Sequence, residues 1–248
     1  MEGCGLMKGI SIKLVDQMGD DFRVFEAAKA TLGGEGESQF SREDTNPTRL
    51  IRFLAKERHV TPFRHPQVTF ECEAPIAIAR QLGKHQAGFS WNERSMRYRD
   101  SVIDVFTPEM FRGRPDKLHD GSTDEDVKNV MTDYKVTYWS STDGHYEEYL
   151  KISDVFDDII EKALDAYECM VKAGLAPEQA RFILPQGMIT RWMWTGSLWG
   201  WFEVYRQRSS EHAQSEVREF ARLLDEQMSV LFPIAWSELK GTIKQEGS

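Results

Sequence analysis

A short segment of the chain concentrates side chains that can bind an anion. Residues 80–98 carry five basic or imidazole side chains around the sequence Ser-Trp-Asn-Glu-Arg-Ser, namely Arg80, Lys84, His85, Arg94 and Arg97. Arginine recognises phosphate through forked hydrogen bonds, and lysine does so through its point charge. A solvated helix face with scattered charges is the alternative interpretation. Because the rest of the chain is acidic, the cluster indicates a bound anion.

A second polar segment lies in the C-terminal half. Residues 206–214 read Arg-Gln-Arg-Ser-Ser-Glu-His-Ala-Gln, so Arg208 and His212 are four positions apart. The two side chains share a face if one helix includes both. Otherwise Arg208 lies at the N-terminal edge of a helix capped by Ser209 or Ser210, where exposed N–H groups can bind an anion. An ordinary capped helix with exposed charges is the alternative.

The overall charge restricts the class of partner. The chain has 248 residues, with 31 Lys plus Arg against 40 Asp plus Glu, and its formal net charge is −9. This balance disfavours nucleic-acid binding, which relies on phosphate neutralisation, but it allows a small phosphorylated ligand in a local basic pocket. No apolar run approaches the length of a membrane span, so we expect no membrane partner.

The cysteines predict neither a metal centre nor a disulfide framework. Cys4, Cys72 and Cys169 have spacings that match neither kind of site, which favours a reducing, cytoplasmic location. Glu71 and Glu73 flank Cys72 and would raise the pKa of its thiol, and Cys169 is expected to pack in a helix. Neither thiol therefore has the features of a nucleophile.

Hydrophobic periodicity predicts an α+β fold with a mixed sheet early and long helices in the C-terminal half. Alternating apolar residues predict strands near 10–14 and 68–72. Helical spacing and capping signals predict further elements, and we interpret the whole chain, residues 1–248, as one domain without a linker. The predicted helices cover residues 22–30, 47–54, 76–82, 142–172, 188–206 and 211–231.

Several short segments, taken in their order along the chain, resemble the flavin-dependent thymidylate synthase (ThyX) family. The resemblance runs through residues 27–31, 59–65, 79–98, 180–185, 190–195 and 208–214. The family signature is Arg-His-Arg, seven residues, then Ser. Here the signature reads Lys84-His85-Gln86, and Ser95 stands one residue further along. Such a variant is similar to members found in viruses of bacteria.

The resemblance implies a specific activity. Family members are α/β homotetramers with active sites shared between subunits. They convert dUMP to dTMP with methylenetetrahydrofolate as carbon donor, FAD as redox carrier and NADPH as reductant. By this resemblance Arg208 lies against the uracil ring as a catalytic electrostatic activator, and Arg181 reaches dUMP from a neighbouring subunit. The residues that match dUMP-binding positions are Gln81, Lys84, Ser95, Arg97, Arg181 and Arg208.

The same resemblance implies a set of flavin contacts. Glu203 is expected to contact adenine or ribose hydroxyls, because a carboxylate beside the FAD phosphates would repel them. Trp199 replaces a family arginine, and core packing is the alternative for Trp194, Trp199 and Trp201. The residues that match FAD-binding positions are Thr31, Thr61, Lys84, His85, Gln86, Glu93, Ser197, Glu203 and His212.

Two other functions are compatible with these residues. The altered Lys84-His85-Gln86 motif and the extra residue also suit a flavin- and folate-dependent dUMP 5-hydroxymethylase that serves viral DNA modification. A non-catalytic nucleotide-binding homologue is the third possibility. The retention of Ser95, Arg97, Arg181 and Arg208 together favours an enzyme.

Overall fold

The computed structural model describes residues 9–30, 46–95, 104–117, 121–140 and 144–246. These residues form two compact units. The first contains Gly9 and the described residues within 75–77 and 94–189, and the second contains the others. The organisation of the whole chain as one domain stays a prediction.

The described residues form six strands and eight helices. The strands are β1 (Ser11–Met18), β2 (Gln67–Pro75), β3 (Phe89–Glu93), β4 (Met131–Ser140), β5 (Gly144–Lys151) and β6 (Ile189–Ser197). The helices are α1 (Asp21–Lys29), α2 (Pro47–Lys56), α3 (Ile76–Leu82), α4 (Ile152–Lys172), α5 (Pro177–Ala180), α6 (Leu198–Arg208), α7 (Ser215–Leu231) and α8 (Pro233–Glu246). Short 3₁₀ turns cover Thr61–Arg64 and Arg181–Ile183. No helix in the described ranges is long and apolar enough to cross a membrane.

The α+β class is confirmed, and the second unit contains a four-stranded sheet in the order β1-β2-β6-β3. β1 pairs antiparallel with β2, and β3 pairs antiparallel with β6. The Thr69–Thr195 and Glu73–Arg191 contacts show that β2 and β6 also run in opposite directions. The sheet therefore differs from the expected one, because it is antiparallel and takes β6 from the C-terminal half.

The tryptophan-rich segment begins as a strand, so the prediction of a helix from residue 188 was wrong in its first half. Trp192, Trp194 and Gly196 are buried, whereas Arg191 and Met193 are exposed, which is the two-residue alternation of a strand. Trp192 and Trp194 lie in the core, with the Trp194 ring 6.2 Å from that of Phe220 on α7. The core-packing interpretation is confirmed for Trp194 and Trp201, which are fully buried.

Two helices follow α6 where one was predicted from residue 211. Arg208 ends α6, Ser209 is its C-cap, and α7 begins only after Gln214. The prediction that Ser209 or Ser210 is an N-cap is therefore wrong, because Gln214 is the N-cap of α7 and the Ala213 N–H bonds back to the Ser210 carbonyl in a turn between the helices. The start of α8 is held by the buried Asp21 carboxylate, which accepts hydrogen bonds from the Ile234 and Ala235 N–H groups at 2.8 Å each.

The first unit contains the hairpin of β4 and β5 ahead of α4. The helix predicted from residue 142 therefore begins only at Ile152. Tyr138 stacks on Tyr146 across the hairpin with ring centroids 5.3 Å apart, and such cross-strand pairs stabilise strands. Gly144 takes a positive φ of 77° at the start of β5, a conformation that glycine adopts without steric cost. On α4, Cys169 is exposed and not packed as expected.

Candidate functional site

A cavity of about 610 Å³ opens in the second unit, which is a typical size for a small-molecule or cofactor site. One face of α6 forms a wall, because Trp199, Glu203 and Gln207 follow one another at intervals of four residues. The described residues that line the cavity are Arg64, Gln67, Lys84, His85, Gln86, Ala87, Gly88, Phe89, Ser197, Trp199, Gly200, Glu203, Gln207 and Arg208.

The loop opposite α6 contains a tight turn ahead of β3. Gly88 has a positive φ of 76°, and the Phe89 N–H donates to the Gln86 carbonyl at 3.2 Å. A hydrogen-bonded turn with a left-handed third residue is typical of type II, which favours glycine at that position. The turn ends where β3 begins, so it places the Phe89 ring in the cavity wall.

Phe89 is fixed in place by two glycines and a group of tryptophans. A Cβ atom at Gly200 would lie 2.9 Å from Phe89 Cε2, and one at Gly196 would overlap the same ring directly. The Phe89 ring also packs edge-on against Trp201, with centroids 5.0 Å apart. Only residues without a side chain at 196 and 200 leave room for this ring, so the glycines determine the shape of the wall.

Arg208 is anchored across the cavity by two hydrogen bonds. Its Nε donates to His85 Nε2 at 3.0 Å, and one of its terminal nitrogens donates to the Gln81 carbonyl at 3.1 Å. The Gln81 side chain donates in turn to the Gln214 side-chain oxygen at 2.7 Å. These bonds connect the end of α6 to the end of α3 and to the loop that carries His85.

The surroundings of His85 keep its imidazole neutral. Burial and the neighbouring Arg208 guanidinium lower the pKa of His85 from 6.5 to about 4, although Glu203 acts in the opposite direction. Burial also lowers the pKa of Arg208, but a guanidinium stays charged at neutral pH. Since the folded state depresses the pKa of His85, its contribution to stability is present above pH 6.5 and is lost as the pH falls towards about 4.

The charges of the cavity favour an anionic ligand. Among the described lining residues are three cations, Arg64, Lys84 and Arg208, and a single carboxylate, that of Glu203. Arg206 pairs with Glu203 at 2.7 Å, which offsets part of that negative charge. Phe89 and Trp199 add aromatic surface. The arrangement suits a ligand that combines phosphates with a planar ring.

The structure brings six of the sequence-predicted site residues to the cavity wall, and these are Lys84, His85, Gln86, Ser197, Glu203 and Arg208. The Ser197 hydroxyl caps α6 by accepting the Gly200 N–H at 3.2 Å, and its own O–H can still donate. Gln81 contacts one member of this set, because its backbone carbonyl accepts a hydrogen bond from Arg208.

Other predicted residues are placed elsewhere. Thr61 is exposed in the 3₁₀ turn that contributes Arg64 to the cavity, and Glu93 accepts a hydrogen bond from the Thr190 hydroxyl at 2.7 Å. His212 is exposed between α6 and α7. Ser95 and Arg181 belong to the first unit. Thr31 and Arg97 lie outside the described residues.

Several lining residues were missed by the sequence analysis, among them Arg64, Gln67, Phe89 and Gln207. The spacing of Trp199, Glu203 and Gln207 carried a usable signal, because residues four apart share a helix face. The signal was not recognised because the helix was predicted to begin at residue 188, whereas α6 begins at Leu198. Phe89 carried no comparable signal, since its placement depends on the distant Gly196.

Gly196→Ala tests whether the glycines hold Phe89 in the wall. The new methyl group would displace the Phe89 ring, so we expect the free energy of unfolding to fall by about 1–3 kcal/mol. Gly241→Ala is the control, because a Cβ there meets no atom within 4 Å. Adding Phe89→Leu to Gly196→Ala should recover part of the loss in chemical denaturation. Equal stability of the two glycine variants would contradict this account of the wall.

Comparisons with known proteins identify relatives of the chain. The family model described as thymidylate synthase complementing protein matches residues 13–234. A flavin-dependent thymidylate synthase from Thermus thermophilus is 31% identical over 226 residues, which cover 91% of this chain and 74% of the relative. One from Thermosipho africanus is 31% identical over 210 residues, which cover 85% of this chain and 82% of the relative.

A solved structure shares the fold. The UMP/dUMP methylase PolB from Streptomyces cacaoi, bound with 5-Br UMP, superposes with a TM-score of 0.73 at 23% identity and covers 94% of each chain. The family model spans most of the sequence, and the Thermus relative aligns along nearly all of it. The chain therefore belongs to the thymidylate synthase complementing protein family, an enzyme family that includes the flavin-dependent thymidylate synthases.

Proposed function

We propose that this protein methylates dUMP to dTMP, with methylenetetrahydrofolate as carbon donor and with FAD, reduced by NADPH, as redox cofactor. The observation that carries the proposal is the anchored Arg208 guanidinium in a cationic cavity. The names of the flavin-dependent relatives and of the dUMP methylase with the same fold support the same chemistry.

The residues of the cavity fit FAD. Arg64 and Lys84 provide positive charge for its phosphates, and Phe89 and Trp199 provide aromatic surface for its rings. Glu203 is already paired with Arg206. Because a carboxylate repels phosphate, Glu203 suits a contact with ribose or adenine better than one with phosphate. When bound, FAD supplies the reducing equivalents for the carbon transfer.

Arg208 acts in this proposal as a fixed electrostatic activator. A guanidinium held beside a pyrimidine favours its ionised or electron-rich form, which makes ring carbon five more nucleophilic. Because Arg208 is already oriented before the reaction, little reorganisation is needed when charge develops. We propose Gln81, Lys84, Ser95, Arg97 and Arg181 as the other dUMP-binding residues, together with the remaining flavin contacts implied by the family resemblance.

The two described cysteines do not support thiolate catalysis. Cys72 is buried in β2, and burial together with the Glu71 carboxylate raises the pKa of its thiol well above the ordinary value. Cys169 lies on α4 in the first unit and is not among the described residues that line the cavity. We therefore propose a reaction without a cysteine nucleophile, in the reducing environment of the cytoplasm, where free thiols persist.

We propose further that the enzyme is a homotetramer with shared active sites. Arg181 is followed by two exposed apolar side chains, Phe182 at 81% and Ile183 at 42% exposure. Adjacent exposed apolar residues favour a protein contact. The neighbouring helix α4 is described along all of its 21 residues, and Tyr167 is the only one of them that is buried. A subunit contact at this surface would bring Arg181 to the active site of another copy.

The reaction is tested by anaerobic incubation with dUMP, FAD, NADPH and methylenetetrahydrofolate, followed by mass spectrometry of the nucleotide. We expect dTMP. Arg208→Ala should lower turnover about 10²-fold or more while FAD stays bound, because it removes the activating charge. Arg52→Ala, at an exposed ion pair with Glu238, is the control and should keep full activity.

Other products would contradict the proposal in different ways. A 5-hydroxymethyl-dUMP product would identify a hydroxymethylase built on the same site. Unchanged dUMP with FAD bound and reduced would favour a non-catalytic nucleotide-binding protein. Full turnover by Arg208→Ala would refute the role assigned to this arginine.

The oligomeric state is tested by sedimentation velocity. We expect a species of four times the 28.6 kDa chain mass. Phe182→Asp should shift it towards smaller species and lower activity, because it places a charge in the proposed contact. Val230→Asp, at a side chain with 79% exposure on α7, is the matched control and should leave the tetramer intact. A wild-type protein that sediments as a single copy would contradict the proposal.

A further inference from the structure

We infer that His85 is a positioning residue for Arg208, which it holds in the cavity through the lone pair of Nε2 without neutralising its charge. This inference rests on the proposed function, because Arg208 is the group whose charge would activate the substrate. It adds a second role to the flavin contact expected of His85 from the sequence.

The hydrogen bond fixes the tautomer of His85. The Nε of an arginine always carries a hydrogen and can only donate. His85 Nε2, 3.0 Å from Arg208 Nε, must therefore be the unprotonated acceptor. The single proton of the neutral ring then lies on Nδ1, so the imidazole accepts from Arg208 on one side and can donate on the other.

Both partners of Arg208 are neutral, which is unusual for a partly buried arginine. Carboxylates are the common partners of arginine, and they form strong bidentate pairs that offset its charge. The described residues instead give Arg208 an imidazole nitrogen and the Gln81 carbonyl. Glu203, the one carboxylate among the described lining residues, is paired with Arg206.

The two neutral acceptors orient the Arg208 guanidinium without compensating its positive charge. Among the described residues, two of the five N–H donors of Arg208 are occupied, and three remain for a ligand. A carboxylate at position 85 could orient the guanidinium equally well, but it would weaken the field at the substrate. A neutral acceptor orients Arg208 and leaves its positive charge available to stabilise developing negative charge.

A double-mutant cycle tests the inference. kcat/KM for dUMP is measured at saturating FAD for the wild type, His85→Ala, Arg208→Ala and the double variant. We expect His85→Ala to lose about 10- to 100-fold through misplacement of Arg208, but to cause no further loss when Arg208 is already absent. Losses that multiply in the double variant would overturn the inference, since His85 would then act independently, as a plain flavin contact does.

An isosteric pair separates orientation from charge. His85→Gln and His85→Glu introduce side chains with the same number of non-hydrogen atoms. Each offers an oxygen that can accept a hydrogen bond from Arg208 Nε. We expect Gln to recover most of the activity lost in His85→Ala, and Glu to recover less because its charge offsets that of Arg208. Equal activities of the two variants, or a Glu variant that exceeds Gln, would overturn the inference.

A binding measurement, which requires no turnover, tests the role of His85 independently of the proposed reaction. Calorimetric titration of the FAD-loaded proteins with dUMP gives the same four-variant cycle in binding affinity. If the wild type binds dUMP but forms no dTMP, the proposed function fails, and non-additive affinities still support the role of His85. Additive affinities would overturn that role even in an active enzyme. FAD affinity measured on each variant shows whether the flavin is retained.

Discussion

The hydrogen bond from Arg208 to His85 links two segments that are far apart in sequence, and the described cavity depends on it. Arg208 ends α6, whereas His85 precedes the tight turn that leads into β3. A charged side chain in a partly buried position is costly unless its hydrogen bonds are satisfied. Here two of the five N–H donors of Arg208 are satisfied by neutral acceptors among the described residues, so the cavity keeps a fixed positive charge where an anionic ligand is expected.

The fold contributes to this bond through the packing behind it. β3 and β6 pair side by side, and Gly196 and Gly200 leave room for Phe89 at the point where the loop joins the sheet. The buried rings of Trp194 and Trp201 pack closely, with centroids 4.8 Å apart, and support Phe89 from behind. Because close-packed cores resist rearrangement, the wall and the loop that carries His85 hold a defined position.

Much of the site could be predicted from the sequence, because short motifs keep their residue types even when the surrounding structure is misjudged. Lys84, His85 and Arg208 were identified from their chemistry and order, although α6 and β6 were together predicted as one helix. Trp192 and Trp194 suit a helix or a strand equally well in composition, and only their burial on alternate positions resolves the choice. The bond between Arg208 and His85 joins residues 123 positions apart, and no local pattern indicates it.

The protonation state of His85 is the most direct test of the central claim. Nitrogen-15 NMR of histidine-labelled protein reports the protonation of each ring nitrogen, and His85→Gln identifies the signal of His85. We predict an unprotonated Nε2, a protonated Nδ1 and no second protonation until the pH falls to about 4, because burial and Arg208 lower the pKa. A His85 ring that carries its proton on Nε2 at neutral pH, or that is already cationic at pH 6, would contradict the account.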